Sequence, residues 1–223
     1  MHPVVTLFDV DNTLLDNDRV VAHLMRHMDQ ELGHGRQQEY WEIFEGLRAE
    51  LGYADYLGAL QRYRIRHPRD SHALIVSSFL VNYPFANRLF PESLDVVEHA
   101  RQWGPAVIVS DGDVVFQPRK IERAGLGDAV DGNILIYVHK EQELDDVEQR
   151  YPAERYLAVD DKLWLLHEMK RHWGPRVTTV WPKQGHYVTD PRVAALSAPD
   201  VTLARIGEML AWTMEGLLQA GRA

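Results

Sequence analysis

The chain has 223 residues, enough for one large domain or for a core carrying an insertion, and its 45% hydrophobic and 26% charged content suits a globular protein. With 24 basic against 33 acidic residues the net charge is -9, which argues against nucleic acid or an anionic membrane surface as a partner. The absence of cysteine excludes disulfides, thiolate metal sites and cysteine nucleophiles, and fits a reducing, cytoplasmic setting.

Met1-His2-Pro3 leads straight into an apolar run, without the basic and apolar regions of a signal peptide, so export by that route is not expected. No window approaches the roughly 20 apolar residues of a membrane span. The run itself, Val4-Val5-Thr6-Leu7-Phe8, reads as a buried parallel strand that delivers Asp9 and Asp11 at its carboxyl end, where α/β sheets bind ligands. Side chains two apart on an extended chain share a side, so both carboxylates can face one crevice. Two anions held that close need a compensating cation, and a hard divalent ion such as Mg²⁺ meets that need. A calcium loop of the EF-hand type is excluded, because Leu14 and Val20 stand where its Gly and its bidentate Glu belong.

Between Asp16 and Leu32 the apolar residues Val20, Val21, Leu24, Met25 and Met28 recur at helical spacing. Helical patterns continue over Tyr40 to Leu51, Tyr53 to Ile65 and Ser71 to Val81, which predicts a helical insertion over residues 16–87. From Pro91 the rhythm alternates. A helix to Trp103 precedes strand Ala106 to Ser110, a helix near Pro118 to Ala124 precedes strand Ile134 to Val138, and helix Glu141 to Arg150 precedes strand Tyr156 to Val159. Helix Leu163 to Trp173, strand Val177 to Trp181 and an amphipathic helix from Leu203 to Leu218 follow. Such alternation predicts an α/β fold, a Rossmann-like parallel sheet flanked by helices, with an inserted α-helical segment. The core is expected in residues 1–15 and 88–223, and the insertion in 16–87.

Each later strand also ends in chemistry: Ser110-Asp111-Gly112-Asp113, then His139-Lys140, then Asp160-Asp161-Lys162. Taken singly these are turn, cap and surface residues. Together on one sheet edge they supply a hydroxyl with turn amides, an ammonium and a second carboxylate pair, the inventory of a phosphate site over a metal.

Phe8-Asp9-Val10-Asp11-Asn12-Thr13-Leu14, Val109-Ser110-Asp111-Gly112, Lys140 and Val159-Asp160-Asp161 resemble, in order, the four motifs of the haloacid dehalogenase-like superfamily, and the helical insertion falls where that superfamily places its first type of cap. Asn12 stands where many members have Gly, a position Asn tolerates through its ease in unusual backbone angles. The resemblance implies Asp9 as nucleophile and Asp11 as acid and base. It implies Asp9, the backbone carbonyl of Asp11, and Asp160 and Asp161 as the metal set. Ser110 with amides around Asp111 and Gly112, and Lys140, are implied for the phosphoryl oxygens. Because a halide leaves without a proton and an alkoxide does not, Asp11 favours phosphate esters over haloacids. The expected function is Mg²⁺-dependent hydrolysis of a small phosphorylated substrate. A phosphomutase, or a phosphate-binding protein of low turnover, would use the same groups. His23 and His27 lack a third metal ligand, the Arg62, Arg64, Arg66 and Arg69 stretch reads as a solvated helix face, and Trp103, Trp173 and Trp181 as packing residues.

Overall fold

The computed structural model describes residues 1–222. Strand β1 (His2–Phe8) is followed by four helices, α1 (Asn17–Leu32), α2 (His34–Leu51), α3 (Tyr56–Arg66) and α4 (His72–Asn82), which pack on one another. The chain then runs through α5 (Ser93–Arg101), β2 (Ala106–Asp111), α6 (Phe116–Arg123), α7 (Leu126–Ala129), β3 (Ile134–Tyr137), α8 (Leu144–Arg150), β4 (Ala153–Val159), α9 (Leu163–Trp173), β5 (Val177–Pro182), β6 (Val201–Leu203) and α10 (Met214–Ala220).

The strands form one parallel sheet in the order β3-β2-β1-β4-β5-β6. Alternate residues of β1 feed separate cores: Val4 and Phe8 join one cluster with Ile108 and Leu157, while Val5 and Leu7 join another with Val107, Val109 and Ala158. This period of two is what a strand covered on both faces dictates. The first core takes in α5, α6 and the four inserted helices; the second lies under α8 and α9. Strand order reverses at β1, between β2 and β4, so the carboxyl ends of those three strands border the crevice in which such sheets bind ligands.

The insertion enters and leaves on adjacent chains. Leu15 bridges Leu89, the Asp16 amide donates to the Arg88 carbonyl at 2.7 Å, and the Phe90 amide donates to the Leu14 carbonyl at 2.9 Å. The four inserted helices thus form a cap on two antiparallel stems. Asp16 caps α1 by accepting from the Arg19 amide at 2.9 Å, and Gly33, at φ +82°, turns the chain directly into α2. Helix α2 therefore starts at His34, earlier than the apolar spacing predicts, because its first turn is polar and solvated and leaves no periodic trace.

The predicted helix from Leu203 to Leu218 is corrected. Val201 and Leu203 pair with Val180 and Pro182 as the edge strand β6, a 3₁₀ turn covers Ile206–Ala211, and α10 starts anew after Thr213, whose hydroxyl caps the Gly216 amide at 3.1 Å. Three strand residues are too few to show a period in sequence, whereas the pairing partner in β5 is decisive in space. The predicted helix from Glu141 likewise becomes a 3₁₀ turn over Lys140–Gln142 followed by α8. His23 bonds the Tyr83 hydroxyl at 2.6 Å and His27 stacks on Phe79; Arg62 pairs with Glu50 and Arg66 with Glu39 on the surface. No helix among the described residues is long and apolar enough to cross a membrane.

Candidate active site

Asp9 follows the last residue of β1, and its amide donates to the Val159 carbonyl at 3.0 Å, which stitches it to the end of β4. On the other side of that joint the Asp161 amide donates to the Thr13 hydroxyl at 2.9 Å, and the Trp181 indole donates to the Asp161 carbonyl at 2.8 Å. Asp160 is fixed by accepting from the Lys162 amide at 2.8 Å. With their backbones held, Asp9, Asp160 and Asp161 bring carboxylate oxygens within 4.8 Å of one another, all three side chains being buried.

The turn that allows this is tight. The Val10 carbonyl faces the amides of Thr13, Leu14 and Leu15 at 3.3, 3.0 and 2.9 Å, and Asn12 takes the left-handed conformation at φ +61°. Asn is among the few residues that accept it at small cost, so the place of the more usual Gly is filled without distortion.

Lys140 is fully buried between the acids. Its ammonium lies 2.6 Å from Asp9 Oδ1, where it donates a hydrogen bond, 2.6 Å from Asp160 Oδ2 as an ion pair, and 3.2 Å from the Val109 carbonyl. One ammonium cannot neutralise three carboxylates. Among the described residues Asp9 Oδ2 and both oxygens of Asp161 are buried without a hydrogen-bond partner, and Asp160 Oδ2 has only the ion pair. Burial first, then repulsion from Asp160 and Asp9, pushes the Asp161 carboxyl well above the usual range; burial, opposed by Lys140 and reinforced by Asp9, pushes Asp160 up to about 6.

Orphaned, mutually repelling oxygens in a buried cluster are the donor set a hard divalent cation takes, and these residues fit one. A carboxyl raised in the fold binds its proton more tightly than in the unfolded chain. On this account the metal-free protein loses stability as pH rises from 3.8 through about 6. Mg²⁺ at roughly a hundredfold over Kd is therefore expected to raise Tm by roughly 5–10 °C near pH 8, and by much less near pH 5, where protons compete for the same oxygens. Thermal melts in Mg²⁺ and in EDTA at the two pH values check this; equal gains at both would contradict it.

Asp11 lies outside that cluster. Its side chain is 29% exposed and lines a cavity of about 650 Å³ between cap and core. The cap contributes Trp41, Arg48 and Tyr53 to the walls, and the core Lys162, Trp164 and Tyr187. Bonds across the rim join cap and core: Arg48 donates to the Tyr187 hydroxyl at 2.6 Å, His186 meets Asp18 at 2.6 Å, and the Asn12 side-chain amide donates to Asp18 Oδ1 at 3.0 Å.

The third group is only partly as the sequence suggests. Ser110 is buried at the end of β2, with its hydroxyl accepting from the Gln117 amide group at 2.8 Å. Asp111 accepts from the Lys140 amide at 2.8 Å and lies 3.6 Å from the Lys162 ammonium. The Gly112 amide donates to the Tyr137 carbonyl at 3.0 Å. That corrects the expectation of a turn amide at Gly112 available to phosphate, because β2 runs one residue past its predicted end at Ser110 and its ladder with β3 carries on to the Gly112 amide. Lys140 is similarly turned inward to the acids, and it is Lys162 whose ammonium borders the cavity. Burial works to lower the Lys162 ammonium, but the charges of Asp9 and Asp111 outweigh it and hold it above its ordinary value.

Gln117 and Lys120, which the motif pattern missed, contact the candidate site residues Ser110 and Asp11. They carry a signal of their own: on α6 the buried positions Phe116, Gln117, Lys120 and Ile121 form one face, and two of the four are polar where an amphipathic helix calls for apolar residues.

Residues 5–166 match the family of haloacid dehalogenase-like hydrolases. No curated protein matches the chain. Among solved structures, a haloacid dehalogenase-like hydrolase of Burkholderia xenovorans LB400 is 56% identical over 96% of this chain and 100% of its own, with a TM-score of 0.91. A hydrolase of that family from Xanthomonas campestris shares the fold at 18% identity, covering 99% of this chain and 94% of its own with a TM-score of 0.67. The HAD hydrolase YfnB of Bacillus subtilis, solved with magnesium bound, does so at 15% identity, 95% and 98% coverage and a TM-score of 0.60. A buried acidic triad at the switch point of a parallel sheet, a helical cap inserted after the first strand, and the match over most of the length agree: the chain belongs to the haloacid dehalogenase-like hydrolases.

Proposed function

We propose that this hydrolase is a Mg²⁺-dependent phosphatase that acts on a small phosphorylated substrate in the cytoplasm, with residues 16–87 as its cap domain and residues 1–15 and 88–223 as its core. The observation that carries the reading is the pairing of a buried, orphaned acid cluster at Asp9, Asp160 and Asp161 with a separate cavity-facing acid at Asp11. A haloacid dehalogenase has no use for Asp11, since a halide departs unprotonated, whereas a phosphate ester releases an alkoxide.

Asp9 attacks phosphorus through a carboxylate oxygen, the phosphorus–ester oxygen bond breaks, and the departing oxygen takes its proton from Asp11. A water then attacks the aspartyl-phosphate, giving its proton to the Asp11 carboxylate and releasing inorganic phosphate with Asp9 restored. Asp9, the Asp11 backbone carbonyl, Asp160 and Asp161 would hold Mg²⁺, which when bound neutralises charge shared by the nucleophile and the phosphoryl oxygens. Ser110 binds a phosphoryl oxygen, and Lys140 holds Asp9 in place. Asp111 and Gly112 serve as the turn that presents Ser110 and Lys140.

Phosphate release from a panel of small phosphate esters, with Mg²⁺ and with EDTA, tests the reading. Turnover that needs Mg²⁺ and yields free phosphate is expected, with the metal worth at least about a hundredfold in rate. Isomerised phosphate esters without free phosphate would instead identify a mutase, and no turnover of any ester would overturn the reading.

A further inference from the structure

Lys120 is 1% exposed, more deeply buried than almost any other charged residue in the chain. A buried ammonium is costly unless every proton finds an acceptor. Here each does: Lys120 Nζ donates to Asp11 Oδ1 at 2.7 Å, to Asp11 Oδ2 at 2.8 Å and to Asn17 Oδ1 at 3.1 Å, with the Phe116 ring 5.3 Å away. Both oxygens of one carboxylate are thus gripped by one cation, and the third bond goes to the first residue of the first cap helix. The same helix α6 sends Gln117, three residues earlier, to Ser110. Its buried polar face therefore addresses two loops of the site at once.

We propose that Lys120 is the positioning residue of Asp11: it fixes that carboxylate at the wall of the cavity and, through Asn17, ties its position to the cap. This rests on the reading of Asp11 as the acid that protonates the leaving oxygen. The geometry explains why a lysine is spent here. Among the described residues no other side chain hydrogen-bonds the Asp11 carboxylate, so without Lys120 its rotamer is left to solvent. An acid misplaced by an ångström loses most of its advantage in proton transfer.

The test separates positioning from mere stabilisation by the leaving group. 4-Nitrophenyl phosphate expels a phenolate that needs little protonation, whereas 4-nitrophenethyl phosphate expels an alkoxide that needs it fully. Because kcat/KM covers steps only through phosphoryl transfer, it isolates the acid role from the later attack of water. Lys120→Met is expected to lower kcat/KM on the alkyl ester about a hundredfold, and on the aryl ester less than about tenfold. In an Asp11→Asn background, adding Lys120→Met is expected to cause no further selective loss, since the two act as a unit.

Equal losses on the two esters, or a full additional loss in the Asp11→Asn background, would overturn the assignment while leaving a working phosphatase. Where the wild type prefers other esters, an aryl and an alkyl ester that it turns over take their place; a wild-type enzyme inert on every ester of the panel would overturn the phosphatase reading, and this assignment with it. Should Lys120→Met fail to fold, Asn17→Ala removes only the third acceptor and is expected to show the same selective loss at smaller size. An unchanged ratio of the two esters in that variant would count against the proposal.

Discussion

Replacing Asp9 with Asn is expected to reduce phosphate release by at least about a thousandfold, with the fold retained. The amide keeps the shape of the carboxylate and a carbonyl oxygen for the Lys140 ammonium, which lies 2.6 Å from Asp9 Oδ1 in the native chain. It removes the negative charge that makes the group a nucleophile, and one of the charges of the acid cluster. The loss should therefore fall on kcat, with Tm in EDTA within a few degrees of the parent. The measurement is phosphate release over the ester panel together with a search for a hydroxylamine-sensitive phosphoenzyme. Wild-type protein is expected to give one and Asp9→Asn none. A variant that keeps a tenth of the parent's turnover would remove Asp9 from the chemistry, and would leave Asp11, in its cavity, as the acid to re-examine.

Lys140→Met has the largest expected effect on stability. The side chain is fully buried, and its ammonium is the cation nearest to both Asp9 Oδ1 and Asp160 Oδ2. Burial pulls the Lys140 ammonium down, yet Asp160, Asp9 and Asp111 together hold it well above its ordinary value, so it stays charged throughout the working pH range. Removing it leaves buried carboxylates facing one another with only the Lys162 ammonium, which makes no ion pair to them, as counter-charge. Breaking such a pair costs about 3–5 kcal/mol, which for a chain of this size lowers Tm by roughly 6–20 °C. Part of the loss should return with Mg²⁺, because the ion takes the same oxygens, and part on acidification, because protons do. A metal-free melt within about 2 °C of the parent would show that Lys140 is not the strut of the acid cluster. The result also discriminates between two roles for this lysine. A residue that only meets substrate phosphate would raise KM without destabilising the free protein.

Much of the architecture was legible because it is written locally. The run Val4 to Phe8 and the runs in β2, β4 and β5 are apolar over lengths that suit buried strands, and α9 matches its apolar spacing from Leu163 to Trp173. The cap was legible for the same reason, as four successive helical periods with breaks at Gly52 and at His67-Pro68. What escaped was short or polar: β6 with three residues, the solvated first turn of α2, and the break at Thr213 that ends one helical turn and begins another.

The sequence by itself determined which strand ends carry chemistry, since Asp9, Ser110 and Asp160-Asp161 each follow directly on an apolar run and a strand leaves its last residues at the sheet edge. Only the tertiary structure decided how those groups are shared out. Lys140 turned to the acids, the Gly112 amide joined the ladder with β3, and Lys120 met Asp11 across 109 positions of chain. The physical reason is that a buried charge or amide must find its partner among whatever the packing of distant segments brings within about 3 Å, and no local pattern encodes that distance.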